Sequence, residues 1–558
     1  MVSRNRVWNW SGETIWQKYC GFLDLSPEEF KQIQRELLLD ELQTVHNSPL
    51  GRRLLRGSLP RSIDEFRKVA RLTKYGDYLP DLEDGRDGAL PESPHHWVHT
   101  TGARAEFKHI PYTRRAYDVV VDNVMAAFIM SCATRKGDVR IKPDDRVLYN
   151  TPPRPFLSGF LTFEMADRFG FPGVLSPDDA EDMEFKERIE KGFRRGLTTG
   201  VDILVSMSSI LVKIGEDFTR HQKKSSFSRS MLHPAVLARL ARAFVKSKVL
   251  RREILPKDLW SAKGILAWGI DTPFFKKQIE HYWGALPYQF YSCTEGGVMA
   301  LQGWNKKGMT LIPFSNFYEF IPEEESVKSW EDSEYCPTTL LADELEAGKR
   351  YELVITNLHG NPLLRYRVGH LIRVLSLEDQ ETGIRLPQIE FEARCDDRID
   401  LAGFTRMDEK TLWEALGDVQ AGCADWIVRK EQQEGKPLLH LYGEFKGELT
   451  GQEIATILDR ALKEKDPFYQ DLQQMLGIFP LRVTRLADGT FDRYYDLQLK
   501  RERPLTERRP SRMNAADDCL AELISLSNGV VEAIAPASYP IGPLEAGEPS
   551  KLTGVGTS

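Results

Sequence analysis

The segment Tyr291-Ser292-Cys293-Thr294-Glu295-Gly296-Gly297 puts hydroxyls, a carboxylate and two glycines directly after an apolar stretch with the character of a buried strand. Loops at the carboxyl ends of strands are where open α/β sheets bind ligands. A Thr and a Glu there could hold Mg2+, and the glycines would let a nucleotide approach the backbone. An ordinary glycine turn with a surface glutamate is the competing reading. A second segment, Thr100-Thr101-Gly102-Ala103-Arg104-Ala105-Glu106-Phe107-Lys108, runs on to Thr113. Hydroxyls, a glycine and a lysine on a short loop can wrap phosphate oxygens through N–H groups and an ammonium charge. A plain hairpin would use the same residues. Leu363-Leu364-Arg365-Tyr366-Arg367-Val368-Gly369-His370 forms an Arg/Tyr-rich strand after Tyr351–Asn357, and Arg394-Cys395-Asp396-Asp397-Arg398-Ile399 is a charged loop or a hinge.

Several kinds of element must position these groups. The first 80 or so residues have helical, polar texture, with a helix start at Ser26 ahead of Glu28 and Glu29. From about residue 140 short apolar runs alternate with helical spacing. Arg146–Tyr149, Val201–Met207, Gly264–Ile270 and Tyr288–Tyr291 are predicted strands, and Leu161–Phe169 and Pro273–Trp283 predicted helices. That alternation predicts an α/β domain with a largely parallel sheet. Strand signals then dominate: Glu352–Thr356, Leu371–Leu375 and Ile389–Glu392. After Arg394 come a helix near Glu409–Leu416, strands near Trp426–Arg429 and Leu438–Tyr442, a helix near Gln452–Leu462 and a strand near Leu481–Leu486. This order predicts a compact α+β module of roughly 100 residues.

In order and spacing the four segments resemble the adenylate-forming superfamily, most closely the auxin- and jasmonate-conjugating acyl-acid amido synthetases and more distantly the phenylacetate–CoA ligases. Phe317–Pro322, the run Asp343–Thr356 leading into Arg365–Gly369, and Gly489-Thr490-Phe491-Asp492 carry the preference, within a resemblance over residues 60–515. It implies an α/β fold: a large multi-sheet N-terminal adenylation domain over 1–393, a small mobile α+β C-terminal domain over 394–530, and a disordered tail over 531–558. It implies ATP and Mg2+ as cofactors. Thr100, Thr101, Gly102, Lys108 and Thr113 would contact phosphates, Tyr291, Thr294 and Glu295 the nucleotide, with Glu295 on the metal, Arg367 and His370 the ribose strand, and Arg394 and Asp397 the hinge. The acyl pocket is expected around Ser158–Leu161, Val205–Ser209 (including Ser208) and Ser292–Cys293. The implied reaction joins a carboxylic acid, through its adenylate, to an amine such as an amino acid. The alternatives are transfer to the thiol of CoA, or a non-catalytic binding protein on the same fold.

Three positions depart from the family pattern. His370 stands where the family has Asp, and a neutral imidazole accepts only one hydrogen bond. Ala103 replaces a hydroxyl residue, and no lysine is evident at the expected place in the small domain, where Arg509 and Lys500 are the candidates.

Composition agrees with an enzyme of this size. With 558 residues, 41% hydrophobic and 28% charged, the chain is globular, and its net charge of −7 offers no general field for nucleic acid. The apolar run Val119–Ala133 is interrupted by Asp122 and Asn123 and is too short to span a bilayer. The N-terminal residues lack the apolar core of a signal peptide, so a cytoplasmic location is expected. Seven scattered cysteines include no Cys-x-x-Cys pair and predict free thiols. His95, His96 and His99 lack completing metal ligands and are expected to be structural, and Cys293 a small pocket residue rather than a nucleophile. From Arg220 to Arg252 there are ten Lys or Arg and no Asp or Glu. Val236, Leu237, Leu240, Phe244 and Val245 fall there at helical spacing, predicting a basic amphipathic helix. Its functional readings are a platform for CoA or a carrier protein's phosphopantetheine, or contact with an anionic membrane; a solvated surface helix is the plainer one.

Overall fold

The computed structural model describes residues 6–82, 87–100, 108–181, 183, 185–221, 233–269, 272–332, 334–395, 399–401, 405–419, 422–433, 436–466, 469–470, 479–503 and 508–527. Thr101, Gly102, Ala103 and Asp397, together with the tail over 531–558, lie outside them. The chain divides into two compact units, Met1–Arg398 with Arg503–Arg509, and Ile399–Glu502 with Pro510–Ser558.

In the larger unit, β1 (His96–His99) and β2 (His109–Tyr112) form an antiparallel hairpin, with His99 opposite His109. β3 (Val147–Asn150), β4 (Ile203–Met207) and β5 (Gly264–Trp268) make a small sheet paired in parallel. Between them run the helices Leu157–Phe169, Phe185–Thr199 and Ser208–His221, as alternating apolar and helical spacing required.

The expected parallel sheet holds for these three strands, but the fourth predicted strand, Tyr288–Tyr291, enters a second sheet instead. Here β6 (Phe290–Cys293), β7 (Gly297–Gln302), β8 (Met309–Leu311), β9 (Asn316–Pro322), β10 (Arg350–Asn357), β11 (Tyr366–Ser376) and β12 (Gln388–Arg394) build seven strands in the order β6-β7-β8-β12-β11-β10-β9. Every pairing in it is antiparallel. Most connections are short, but the one from β9 to β10 carries the helix Glu323–Glu331 and still joins an antiparallel pair.

Two helices tie these parts together. The helix Pro27–His46 begins in a capping box: Ser26 Oγ accepts from Glu29 N, and Glu29 Oε2 accepts from Ser26 N at 2.7 Å. Its buried Gln34 accepts from Tyr318 N at 2.9 Å and donates to the carbonyls of Pro313 and Asn316, bracing the start of β9. The helix Arg114–Cys132 explains the longest apolar run: Val120, Val121 and Met125–Cys132 are all buried in the core. Its interrupting polar residue, Asn123, is spent on Val298 O and Ser315 Oγ.

In the smaller unit, β13 (Ile399–Leu401) pairs with β14 (Thr405–Met407), and β15 (Cys423–Gln433) and β16 (Lys436–Phe445) form a hairpin to which β17 (Leu481–Leu486) adds in parallel. The helices Glu409–Leu416, Gly451–Lys465, Thr490–Lys500 and Asp517–Leu526 complete an α+β module. Gly489, at φ 76°, opens the helix Thr490–Lys500, and its N–H donates to Glu444 Oε1 at 2.7 Å.

Candidate active site

The neck of the β1–β2 hairpin is closed by its own backbone. Thr100 N donates to Lys108 O at 3.1 Å, and Lys108 N to Thr100 Oγ1 at 3.2 Å. This uses Thr100 Oγ1 as an acceptor at the base of the predicted phosphate loop. It also aims Lys108 inward, where Nζ lies 2.9 Å from Glu295 Oε1 and 3.0 Å from the Tyr366 hydroxyl. The Tyr366 hydroxyl is itself 3.4 Å from Glu295 Oε1, so ammonium, carboxylate and phenol form a closed triangle. The rings of Tyr75 and Tyr366 each lie 5.7 Å from Nζ and favour its charge.

Glu295 sits in the turn between β6 and β7, which is held at successive carbonyls. Tyr112 donates to Thr294 O (2.7 Å), Asn357 Nδ2 to Glu295 O (3.0 Å) and Asn316 Nδ2 to Gly296 O (2.8 Å). Gly297 has φ +66°, and a Cβ there would come within 2.5 Å of Val120 Cγ2, so both conformation and space demand glycine. A turn pinned from β2, β9 and β10 is pre-organised before any ligand arrives. Burial pulls the Glu295 carboxyl upward, but the charge and hydrogen bond of Lys108 outweigh it and hold its pKa below the ordinary glutamate value.

Several sequence-predicted residues gather around this triangle. Tyr291 is buried on β6, and its hydroxyl lies 2.8 Å from Nδ1 of His370 on β11. The His370 ring meets Phe391 edge-on at 5.3 Å. Arg394 is opposite His370 in the β11–β12 register, at the end of its strand. Ser292 is exposed and Cys293 half-buried at the edge of the same turn. Burial raises the Cys293 thiol pKa, which disfavours the thiolate a nucleophile needs.

The structure gives the other predicted residues the following partners and places. Thr113 is 3% exposed and caps the helix Arg114–Cys132: its Oγ accepts from Ala116 N and donates to His359 O, leaving no hydroxyl for a phosphate. Arg367 points away from the triangle, as the alternation of side chains along a strand requires of Tyr366's neighbour. Its guanidinium is clamped on buried Glu352 at 2.9 and 2.5 Å and stacks over Trp330. Ser208 is fully buried, with its hydroxyl 2.6 Å from Thr272 Oγ1, and Val205 is 7% exposed within the core. Ser158 is half-buried, its hydroxyl directed to Pro152 O at 3.5 Å. Lys500 is exposed on the last turn of its helix in the smaller unit, and Arg509 is exposed on the Arg503–Arg509 segment.

Sequence reasoning missed Tyr366, Tyr112, Asn316 and Asn357 as members of the site. Tyr366 had one usable signal: the alternation of a strand sets it on the face opposite Arg367. Arg365 is paired with Glu319 at 2.8 and 3.0 Å and holds φ 43°, fixing the entry of β11. The carbonyl-pinning residues gave no such signal, because their partners are up to 182 residues away in sequence.

Among the described residues no group of three or more His, Cys, Asp or Glu could hold a metal ion. Glu295 is a single carboxylate. That fits Mg2+ only in its commonest nucleotide-borne form, shared between one or two carboxylates and substrate phosphates. His95, His96 and His99 pack as rings against Tyr117, Phe160, His109 and Phe156, and burial lowers the His96 pKa to about 4.

Residues 309–394, from β8 to the end of β12, match the family model of the GH3 family central domain. That stretch supplies Asn316, Asn357, Tyr366 and His370 to the site, together with both buried Arg–Glu pairs. A human GH3 domain-containing protein is 28% identical over 210 residues, covering 35% of this chain and 37% of that protein. A rice (Oryza sativa subsp. japonica) jasmonoyl–L-amino acid synthetase is 24% identical over 254 residues, 41% of each chain. The matched stretches thus span well under two thirds of these relatives. In three dimensions the likeness extends further: an acyl acid amido synthetase, AtGH3.15, solved with 2,4-DB, superposes with a TM-score of 0.69 at 15% identity, over 96% of this chain and 99% of that one. A 2-hydroxyisobutyryl-CoA ligase bound to its acyl-AMP gives a TM-score of 0.55 at 16% identity, over 82% and 85%. The fold is that of the adenylate-forming ligases.

Proposed function

We propose that this protein activates a carboxylic acid with ATP and transfers the acyl group to an amine, an amino acid being the favoured acceptor. The observation that carries this reading is the Lys108–Glu295–Tyr366 triangle, set between a hairpin with phosphate-loop composition and a carbonyl-pinned turn. The similarity in fold to an acyl acid amido synthetase supports it.

In the first half-reaction a carboxylate oxygen attacks the α-phosphorus of ATP, and the bond to the β-phosphate oxygen breaks to release pyrophosphate. Charge builds on the phosphate oxygens, so positioned cations and N–H groups supply most of the stabilisation. Lys108 is the cation for that charge, and Tyr366 orients its ammonium. Glu295 stays ionised and would hold a nucleotide-borne Mg2+, whose contribution is neutralisation of phosphate charge. The Lys108–Glu295 pair keeps both charges satisfied until a nucleotide takes one group on its phosphates and the other on its metal. In the second half-reaction the acceptor nitrogen attacks the acyl carbon, loses a proton and expels AMP.

Hydroxylamine trapping with ATP, Mg2+ and a panel of aryl, indolyl and fatty acids tests the first half-reaction whatever the natural acceptor. A hydroxamate is expected, and the mass of the product formed with amino acids or with CoA then separates amide from thioester. Absence of any hydroxamate together with absence of ATP binding would overturn the reading in favour of a non-catalytic protein on the same fold. His370→Asp sharpens the same contrast. Added acceptor capacity should tighten nucleotide binding by about fivefold, from one further hydrogen bond of about 1 kcal/mol. Weaker binding would show that the imidazole itself contacts the nucleotide.

A further inference from the structure

The helix Pro234–Leu250 is fixed to the larger unit by one side only. Val236 and Ala243 are buried against it, and Arg239 donates to the carbonyls of Leu197 and Thr198 at the end of the helix Phe185–Thr199. Just beyond its C-terminus, Arg252 grips Asp258 at 2.7 and 2.8 Å. With the packed side so well satisfied, burial was available for the apolar residues. Instead Leu237 is 46% exposed, Phe244 56%, Val245 60%, Val249 74% and Leu250 57%. At 100° per residue, Leu237, Ala238, Ala241, Phe244, Val245 and Val249 fall within roughly 140° of arc on the outward face. An open groove of about 510 Å3 continues this apolar face between the last turns of the helix and Lys257–Ala262.

Cations flank and punctuate the stripe. Arg242, Lys246, Lys248 and Arg251 are exposed, and Lys248 reaches over the Phe244 ring at 5.3 Å. No acidic residue occurs between His233 and Arg252. The chain as a whole is negative, at −7, so this face is a local reversal of charge.

We propose that the helix Pro234–Leu250 seats the protein on an anionic lipid bilayer, lying in the plane of the interface. The apolar stripe enters the boundary between headgroups and acyl chains while the long Lys and Arg stems reach back to anionic headgroups. Charge complementarity selects this occupant. A second copy would set the same cations against each other, and a free phosphate compound would leave the apolar stripe in water. The contact is peripheral, since among the described residues no helix is long and apolar enough to cross a membrane. Because the rest of the chain is repelled by an anionic surface, binding acts at short range and falls as salt rises.

The test is co-sedimentation of the full chain with vesicles of phosphatidylcholine alone and of phosphatidylcholine mixed with phosphatidylserine. Three or four cations near the surface predict on the order of 100-fold stronger partitioning to the anionic vesicles. The double variant F244S/V249S should lose most partitioning to both, and K246Q/K248Q/R251Q should lose the anionic preference. Both sets lie on the exposed face, and an unchanged circular dichroism spectrum and unfolding midpoint confirm that the helix persists. Failure of the wild-type chain to sediment with anionic vesicles overturns the proposal. So does sedimentation that neither variant alters, or a concentration-dependent dimer abolished by F244S/V249S, which would make a second copy the occupant.

Discussion

Replacing Lys108 by Met removes the ammonium that lies 2.9 Å from Glu295 and leaves a carboxylate that is 7% exposed, with the Tyr366 hydroxyl 3.4 Å from Oε1. At an effective dielectric of about 20, two unit charges 2.9 Å apart attract by ~6 kcal/mol before desolvation is counted. Breaking a buried pair from one side costs about 3–5 kcal/mol, and the partly exposed position of Lys108, at 34%, places this case at the low end, ~2–3 kcal/mol. The sign with pH follows from Glu295. In the wild type its folded pKa is depressed, so the pair contributes stability above the unfolded value and loses it as pH falls through the folded value. In K108M the charge and hydrogen bond of Lys108 are gone and burial outweighs what still favours the carboxylate, so the folded pKa is raised and the variant loses stability as pH climbs. The difference between the two proteins should be smallest below the depressed folded pKa of wild-type Glu295, where the carboxyl is protonated in both. It should widen by ~1.4 kcal/mol per pH unit until Glu295 ionises in the folded variant. Urea unfolding followed by tryptophan fluorescence at a series of pH values reads this difference. The double variant K108M/E295Q should restore a pH-independent offset while remaining unable to form hydroxamate. A constant difference from pH 5 to pH 8 in K108M would refute the claim that Lys108 holds Glu295 ionised.

Arg367→Lys removes a two-pronged clamp on Glu352 and its stack on Trp330, and should cost about 2–4 kcal/mol of stability while leaving nucleotide affinity of the folded protein unchanged. Loss of affinity without loss of stability, in calorimetric titration against unfolding, would return Arg367 to the ribose. Glu41 is 4% exposed, and burial pushes its carboxyl up to about 7 despite two hydrogen bonds from Gly360 N–H. A raised carboxyl pKa drains stability as pH rises from about 4.5 towards 7, so Glu41→Gln should gain ~2–3 kcal/mol on the wild type at pH 8 and nothing at pH 4. A gain that does not vary with pH would show that Glu41 is ionised throughout.

How much was legible beforehand varies with the range of the interaction. The helix Glu409–Leu416 and the strand Leu481–Leu486 were predicted at their observed bounds, and Ser26 and Glu29 announced their cap, because propensity, period and capping act within a few residues. The antiparallel character of the large sheet was not legible. Its strands read as buried whichever way their neighbours run, and connection length carries the direction only once the pairing order is known.

In the site, the resemblance to the adenylate-forming superfamily singled out Lys108, Thr294, Glu295, Tyr291 and His370, since their order along the chain follows its motifs. What it could not tell was which way each side chain faces. Thr113 carries a hydroxyl a phosphate would want, yet the start of a helix and the His359 carbonyl claim it. Arg365 and Arg367 look like anion ligands, yet Glu319 and Glu352 arrive from neighbouring strands and engage them both. The apolar residues of the basic helix look like a buried face, yet packing takes Val236 and Ala243 and leaves Phe244 and Val249 in water. Sequence by itself determined the chemistry available and the local elements that carry it. The tertiary structure decided which of those groups are spent on holding the protein together, because a buried charge or hydroxyl must find a partner and that partner is chosen by the fold.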